Sequence, residues 1–172
     1  MFRAWLPAHR ADVQAFEAFL ARNRVADVVP TWQLLRSASM WKACGAEPFQ
    51  LPPRSQWREA GRVLALLKEL RRTGVLGPFA VMSAYRPPPL NRCAGGARRS
   101  SHMRFAVDFV PLGPADDQKL CAFWREQGRA WTMGLSRYPS GRIHIDRSAW
   151  RTWGSDHTGK SSFCRQKAET PR

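Results

Sequence analysis

Apolar side chains recur along the first half of the chain at the spacing of a helix surface. Val13, Phe16, Phe19 and Leu20 lie three or four residues apart between positions 11 and 23, with Gln14 and Arg22 opposite, which predicts an amphipathic helix. Thr31 as N-cap and Trp32 in the first turn predict a short second helix to Arg36, after Pro30. Positions 37–53 show no period. The strongest helical pattern follows: Trp57, Ala60, Val63, Leu64, Leu67 and Leu70, with Ser55 as candidate cap, Arg71 and Arg72 at the negative end of the dipole, and Gly74 as a left-handed stop.

The second half changes period. Residues 79–83, F-A-V-M-S, form a short apolar run that predicts a buried strand, and the prolines at 87–89 end it because they remove ladder donors. A short helical piece over 90–93 stops at Gly95-Gly96. Residues 105–110 predict a strand, 114–127 a helix with Leu120, Phe123 and Trp124 on one side, and 131–135, 142–146 and 150–153 three further strands. Helices first and strands later point to an α+β fold, N-terminal helices packed on a small antiparallel or mixed sheet, rather than to alternating βαβ units. One domain over residues 1–154 is expected, with a motif core of about 57–153 and a loosely held polar, basic tail over 155–172.

Composition narrows the partners. The 172 residues carry 28 Lys plus Arg against 13 Asp plus Glu, a net charge of +15, which draws the molecule toward polyanions: nucleic acid, anionic lipid headgroups or an acidic wall polymer. No apolar run is long enough to cross a bilayer. The N-terminus lacks a secretory h-region, having Pro7 and His9 where it would lie. Four widely spaced cysteines, Cys44, Cys93, Cys121 and Cys164, contain no C-x-x-C pair, so they read as small buried hydrophobes or, in an exported protein, as disulfides of undetermined pairing.

Candidate chemistry lies in two stretches. On a strand, Arg142, His144 and Asp146 share one face while Ile143 and Ile145 share the other. On the earlier strand Asp108 sits with Ala106 and Val110, a carboxylate among apolar neighbours, which is costly unless it is paired or bound to metal. His102 enters that strand from the Gly-rich loop. Two imidazoles and a carboxylate leave a fourth tetrahedral position open, the pattern of a catalytic zinc rather than a structural one, and the implied chemistry is amide hydrolysis by activated water. Each residue has a plainer reading as a structural histidine or an arginine-paired aspartate; only the combination favours a metal.

At these residues the chain resembles the zinc peptidases of bacterial cell-wall peptides, the D-alanyl-D-alanine carboxypeptidases and their relatives that cut other peptidoglycan cross-links. The resemblance rests on Ser83-Ala84-Tyr85-Arg86, on Asn91 through Gly95-Gly96-Ala97 to Ser100 and His102, on Asp108, and on His144-Ile145-Asp146. It implies one zinc per chain held by His102, Asp108 and His144, a substrate grip by Arg86 with Ser83 and Tyr85 beside it, Ser100 supporting the metal ligands, and a small α+β domain shared with the hedgehog signalling domain. It also implies a periplasmic or cell-wall substrate. Two departures stand out: only five residues, Met103 to Val107, with no glycine, separate His102 from Asp108, and Gly141 stands where many relatives carry an acidic general base. Asp146 is then the candidate base, or else a carboxylate that orients His144; His157, in the tail, ranks behind it as a participant. A non-catalytic binder of zinc or wall peptide, and a basic nucleic-acid-binding protein using exposed Trp for stacking, are the alternatives.

Overall fold

The computed structural model describes residues 1–165. Helix α1 (Phe2–Arg22) starts nine residues before the expected helix and contains Pro7. Tertiary packing outweighs the proline here: Phe2 and Trp5 pack on Phe49, and the Trp5 indole donates to Glu47. Helix α2 (Thr31–Leu34) is a single turn with Pro30, not Thr31, at its N-cap. A 3-10 turn (Arg54–Gln56) leads into α3 (Trp57–Arg72), and Ser55 makes no capping bond. Ala60, Val63, Leu64, Leu66, Leu67 and Leu70 of α3 are buried, and Gly74 takes φ +70 beyond its end. Truncating a leucine on that face, such as Leu67→Ala, costs about 2–5 kcal/mol.

Five strands form one mixed sheet in the order β1-β2-β4-β3-β5: β1 (Phe79–Ser83), β2 (Ala106–Pro111), β3 (Gly134–Arg137), β4 (Ile143–Asp146) and β5 (Arg151–Trp153). All neighbours run antiparallel except β3 and β5. Helix α4 (Pro88–Cys93) follows β1, and α5 (Asp117–Glu126) follows β2. The expected strand over 131–135 begins only at Gly134, because Thr132 adopts φ 48 in a turn closed by Met133 N–H to Gly128 O. Val107, Phe109, Leu135, Ile143 and Ile145 join the helices in one core. The alternate residues of the same strands face the other way, so a row of polar side chains forms without breaking the core.

Register decides which polar groups meet. Asp108 lies opposite His144, with Ser83 beside Asp108 and Ser136 beside His144; one row along, Asp146 pairs with Ala106 on one side and Gly134 on the other. Gly134 is a steric requirement: a Cβ there would lie 2.6 Å from the Asp146 carboxylate.

Two disulfides, Cys44–Cys93 and Cys121–Cys164, cross-link the loops, and no free thiol remains. The plainer reading of the cysteines therefore fails. Over the described part of the expected tail, Ser155 to Thr158 are exposed, while Ser162 and Cys164 are buried and Thr152 and Ser162 share a hydroxyl hydrogen bond. The rest of the expected tail, residues 166–172, lies outside the described residues. No described helix is long and apolar enough to cross a membrane.

Candidate metal centre and its cleft

The loop that delivers His102 is built around Asn91 and Gly96. Asn91 is buried and its amide donates to Ala97 O (3.0 Å); a Cβ on Gly96 would overlap that amide, while Gly95 takes φ +70. Ser100 then caps a 3-10 turn (Ser101–Met103) by accepting the His102 N–H, which turns the histidine inward. The short connection from His102 to Asp108 is accommodated at Phe105, which is forced to φ 145, a region essentially reserved for glycine. Burial of the Phe105 ring holds that strained backbone in place.

His102, Asp108 and His144 are all buried, and one donor atom from each lies within 4.8 Å of the others. His102 Nδ1 is 2.6 Å from the Ala84 carbonyl, which can only accept, so Nδ1 carries the proton. Burial lowers the ring's pKa despite Asp108, keeping it neutral, and Nε2 therefore presents a bare lone pair. That Nε2 is 3.1 Å from Asp108 Oδ1 yet has no hydrogen-bond partner. The distance alone would suggest an ion pair; the proton position shows a lone pair facing a carboxylate, an arrangement that calls for a cation between them.

His144 completes the group. Its Nδ1 is 2.8 Å from Asp108 Oδ1, and its Nε2 is 3.0 Å from Asp146 Oδ2 and 3.1 Å from Ser101 Oγ. Burial alone would lower the pKa of this ring, but its hydrogen bonds to Asp108 and Asp146 win and push it up to about 8. Asp108 shows the converse: burial opposes ionisation, but the hydrogen bond and charge of His144 hold its carboxyl well below the usual range. Without metal, a proton on His144 Nδ1 neutralises the site, and a cation would take that proton's place. Ligand atoms about 2.1 Å from a tetrahedral zinc lie roughly 3.4 Å apart, so the observed spacings of 3.1 and 2.8 Å need only slight opening. The donor set, two nitrogens and a carboxylate oxygen, suits zinc.

The other expected residues fall into three places. Arg86 lines the cleft, donating to Ser83 Oγ (2.9 Å) and to Asp108 Oδ2 (2.7 Å), so it turns Oδ1 toward the histidines. Ser83 is fully buried beneath it, and Tyr85 points into the core, away from the cleft. Asp146 is 0% exposed, accepting from Ser148 N (2.7 Å) and Arg151 Nη2 (2.7 Å) besides facing His144. Gly141 adopts φ +80 in the turn before β4, a conformation that disfavours any acidic side chain at that position. His157 does reach the cleft.

The cleft has a volume of about 520 Å³. Arg86, Arg99, Arg142 and Arg151 line it, with Tyr138 and with Trp153, whose ring meets His144 edge-on at 5.1 Å. Among its described lining residues Asp108 is the sole carboxylate. Sequence reasoning missed Ser101, Tyr138, Arg151 and Trp153; the position of Ser101 next to His102 was the available signal, and the others depend on strand order. The stacking surfaces that a nucleic-acid binder would use are poorly available: Trp32 and Trp150, each 39% exposed, are covered by Arg36 and Arg129.

A protein-family model described as Peptidase M15 matches residues 36–146, a stretch that runs from the end of α2 through the last residue of β4. No curated protein and no solved structure matches the chain.

Proposed function

The chain belongs to the peptidase M15 family, and from that premise we propose that it is a zinc-dependent hydrolase of bacterial cell-wall peptides, with His102 Nε2, Asp108 Oδ1 and His144 Nδ1 as the metal ligands. The observation that carries this reading is the orphaned, buried Nε2 of His102 facing a carboxylate. Zinc bound there would polarise a scissile carbonyl and bring the pKa of water toward neutrality.

The remaining work falls to the chain itself. The Ala84 carbonyl fixes the His102 tautomer, and Asp146 fixes that of His144, as carboxylates commonly do behind metal-bound histidines. Asp146 is then an orienting residue rather than the general base: both of its oxygens are engaged, and it is absent from the cleft wall. Arg86 sets the rotamer of Asp108 and has guanidinium N–H groups left for a substrate carboxylate. Arg99 and Arg142, with no carboxylate partner among the described residues, suit a peptide bearing several acidic groups, as wall peptides do.

Incubating the protein with purified peptidoglycan, with and without chelator, tests the reading. The expected result is about one zinc per chain and chelator-sensitive release of peptide fragments, whose identity tells a terminal D-Ala-D-Ala bond from an internal cross-link. Absence of zinc after reconstitution, or of any chelator-sensitive product, refutes it. The lack of a free carboxylate among the described residues of the cleft wall favours a second reading, a binder that grips wall peptide without cutting it; retention of muropeptides with no product selects that reading.

A further inference from the structure

Hydrolysis of an amide by water needs a group that accepts the water's proton and another proton delivered to the departing amine. If the peptidase reading holds, the cleft must supply that group outside the ligand set. Asp108 is fully engaged, Oδ1 by His144 and Oδ2 by Arg86. Asp146 does not reach the wall, and arginine does not deprotonate in proteins. Tyr138 lines the cleft, but a phenol, whose ordinary pKa is about 10, is protonated at neutral pH and donates rather than accepts. Imidazole is the side chain that exchanges protons around neutral pH, and one imidazole remains: His157.

Its placement is built rather than incidental. His157 is exposed on the cleft wall and holds φ 60, left-handed backbone that is uncommon outside glycine. Contacts within the loop and ties at its two ends hold that backbone. His157 N–H donates to Gly154 O (3.0 Å), and the Asp156 carboxylate accepts from Thr158 N (2.8 Å), Thr158 Oγ1 (3.0 Å) and the Ser161 hydroxyl. The far end of the loop is tied to α5 by Cys121–Cys164. The near end is continuous with β5, whose Trp153 touches His144.

We propose that His157 is the proton-transfer residue of this hydrolysis. It takes a proton from water as the water oxygen bonds to the scissile carbonyl carbon, and gives that proton to the amide nitrogen as the C–N bond breaks; the second water proton then leaves the new carboxyl group for the amine, so a carboxylate and an ammonium are released with no further reactant. This rests on the peptidase reading and replaces the acid that Gly141 lacks.

The test uses the zinc-loaded full chain, as wild type, His157→Ala and His157→Gln, on a cross-linked muropeptide. Both variants are expected to keep their zinc and their KM, to lose about 10²–10⁴-fold in kcat, and to show a kcat/KM profile of altered shape against pH. Added imidazole is expected to return part of the rate to His157→Ala. A wild-type rate in either variant, or a reduced rate with an unchanged pH profile, overturns the assignment while leaving the peptidase reading intact. A wild type that binds zinc but cuts nothing overturns both.

Discussion

Replacing Asp146 by Asn changes one atom of a fully buried side chain and should act on the metal through His144. In the native arrangement Oδ1 accepts from Ser148 N, and Oδ2 accepts from both Arg151 and the His144 Nε2–H. An amide provides one oxygen and one NH2. With the oxygen toward Ser148, the NH2 meets two donors; with the amide flipped, it meets the Ser148 N–H. Either choice leaves at least one buried donor unpaired, costing about 1–3 kcal/mol. In the first, His144 regains a partner only by moving its proton to Nδ1, which then points at Asp108 Oδ1 and removes the lone pair a metal needs. Losing such a supporting carboxylate costs about 10–100-fold in metal affinity, or roughly 1.4–2.7 kcal/mol. Competition against a chromophoric zinc chelator at fixed pH measures this, with circular dichroism to confirm the fold. An unchanged zinc affinity refutes the orienting role; if turnover then vanishes while zinc stays bound, Asp146 is the base after all.

Other expectations bear on the same framework. Gly134→Ala should push the Asp146 carboxylate aside without altering charge, lowering the melting temperature by an overpacking cost of about 1–3 kcal/mol and weakening zinc binding as Asp146→Asn does. In the metal-free protein, Asp108 and Asp146 have folded pKa values held down, so the stability they contribute is present above the unfolded value of about 3.9 and lost as pH falls below it. His144 has the opposite sign: its contribution is complete below about 6.5 and is lost as pH rises through about 8. Thermal melts from acid to pH 9 should show both limbs, and zinc should remove the alkaline one. Reduction of the two disulfides, each worth about 4 kcal/mol by loop entropy, should lower the melting temperature and abolish cleavage; cleavage undiminished in a reduced, folded sample would show that the cross-links do not shape the cleft.

The local half of the site was legible in the chain. Alternation alone put His144 and Asp146 on one face of β4 and isolated Asp108 on β2, because a two-residue period needs no knowledge of neighbours. Partnership was not legible. That Asp108 lies opposite His144, or that Gly134 leaves room for Asp146, follows from the order β1-β2-β4-β3-β5, which depends on long-range pairing. Tyr85 and Arg86 are adjacent in a motif, yet only Arg86 reaches the cleft, since β1 ends at Ser83 and alternation no longer guides the chain there. The early start of α1 depends on Phe49 and Glu47, which receive Phe2 and Trp5 from some forty residues away. Cysteine spacing could not pair Cys121 with Cys164, so the fold of the segment around His157 was hidden as well.

The stretch that matches the family ends at Asp146, while Arg151, Trp153 and His157 on the cleft wall come after it. That later segment is anchored at one end by the parallel pairing of β5 with β3 and at the other by the bond to Cys121, and it contributes none of the candidate metal ligands. It thus serves two ends at once: it completes the wall, and through Ser148 N and Arg151 it braces the Asp146 carboxylate that stands behind His144. A chimera that swaps residues 147–165 for those of a relative would change what enters the cleft without weakening zinc binding only if Ser148 and Arg151 are kept along with the cysteine at 164.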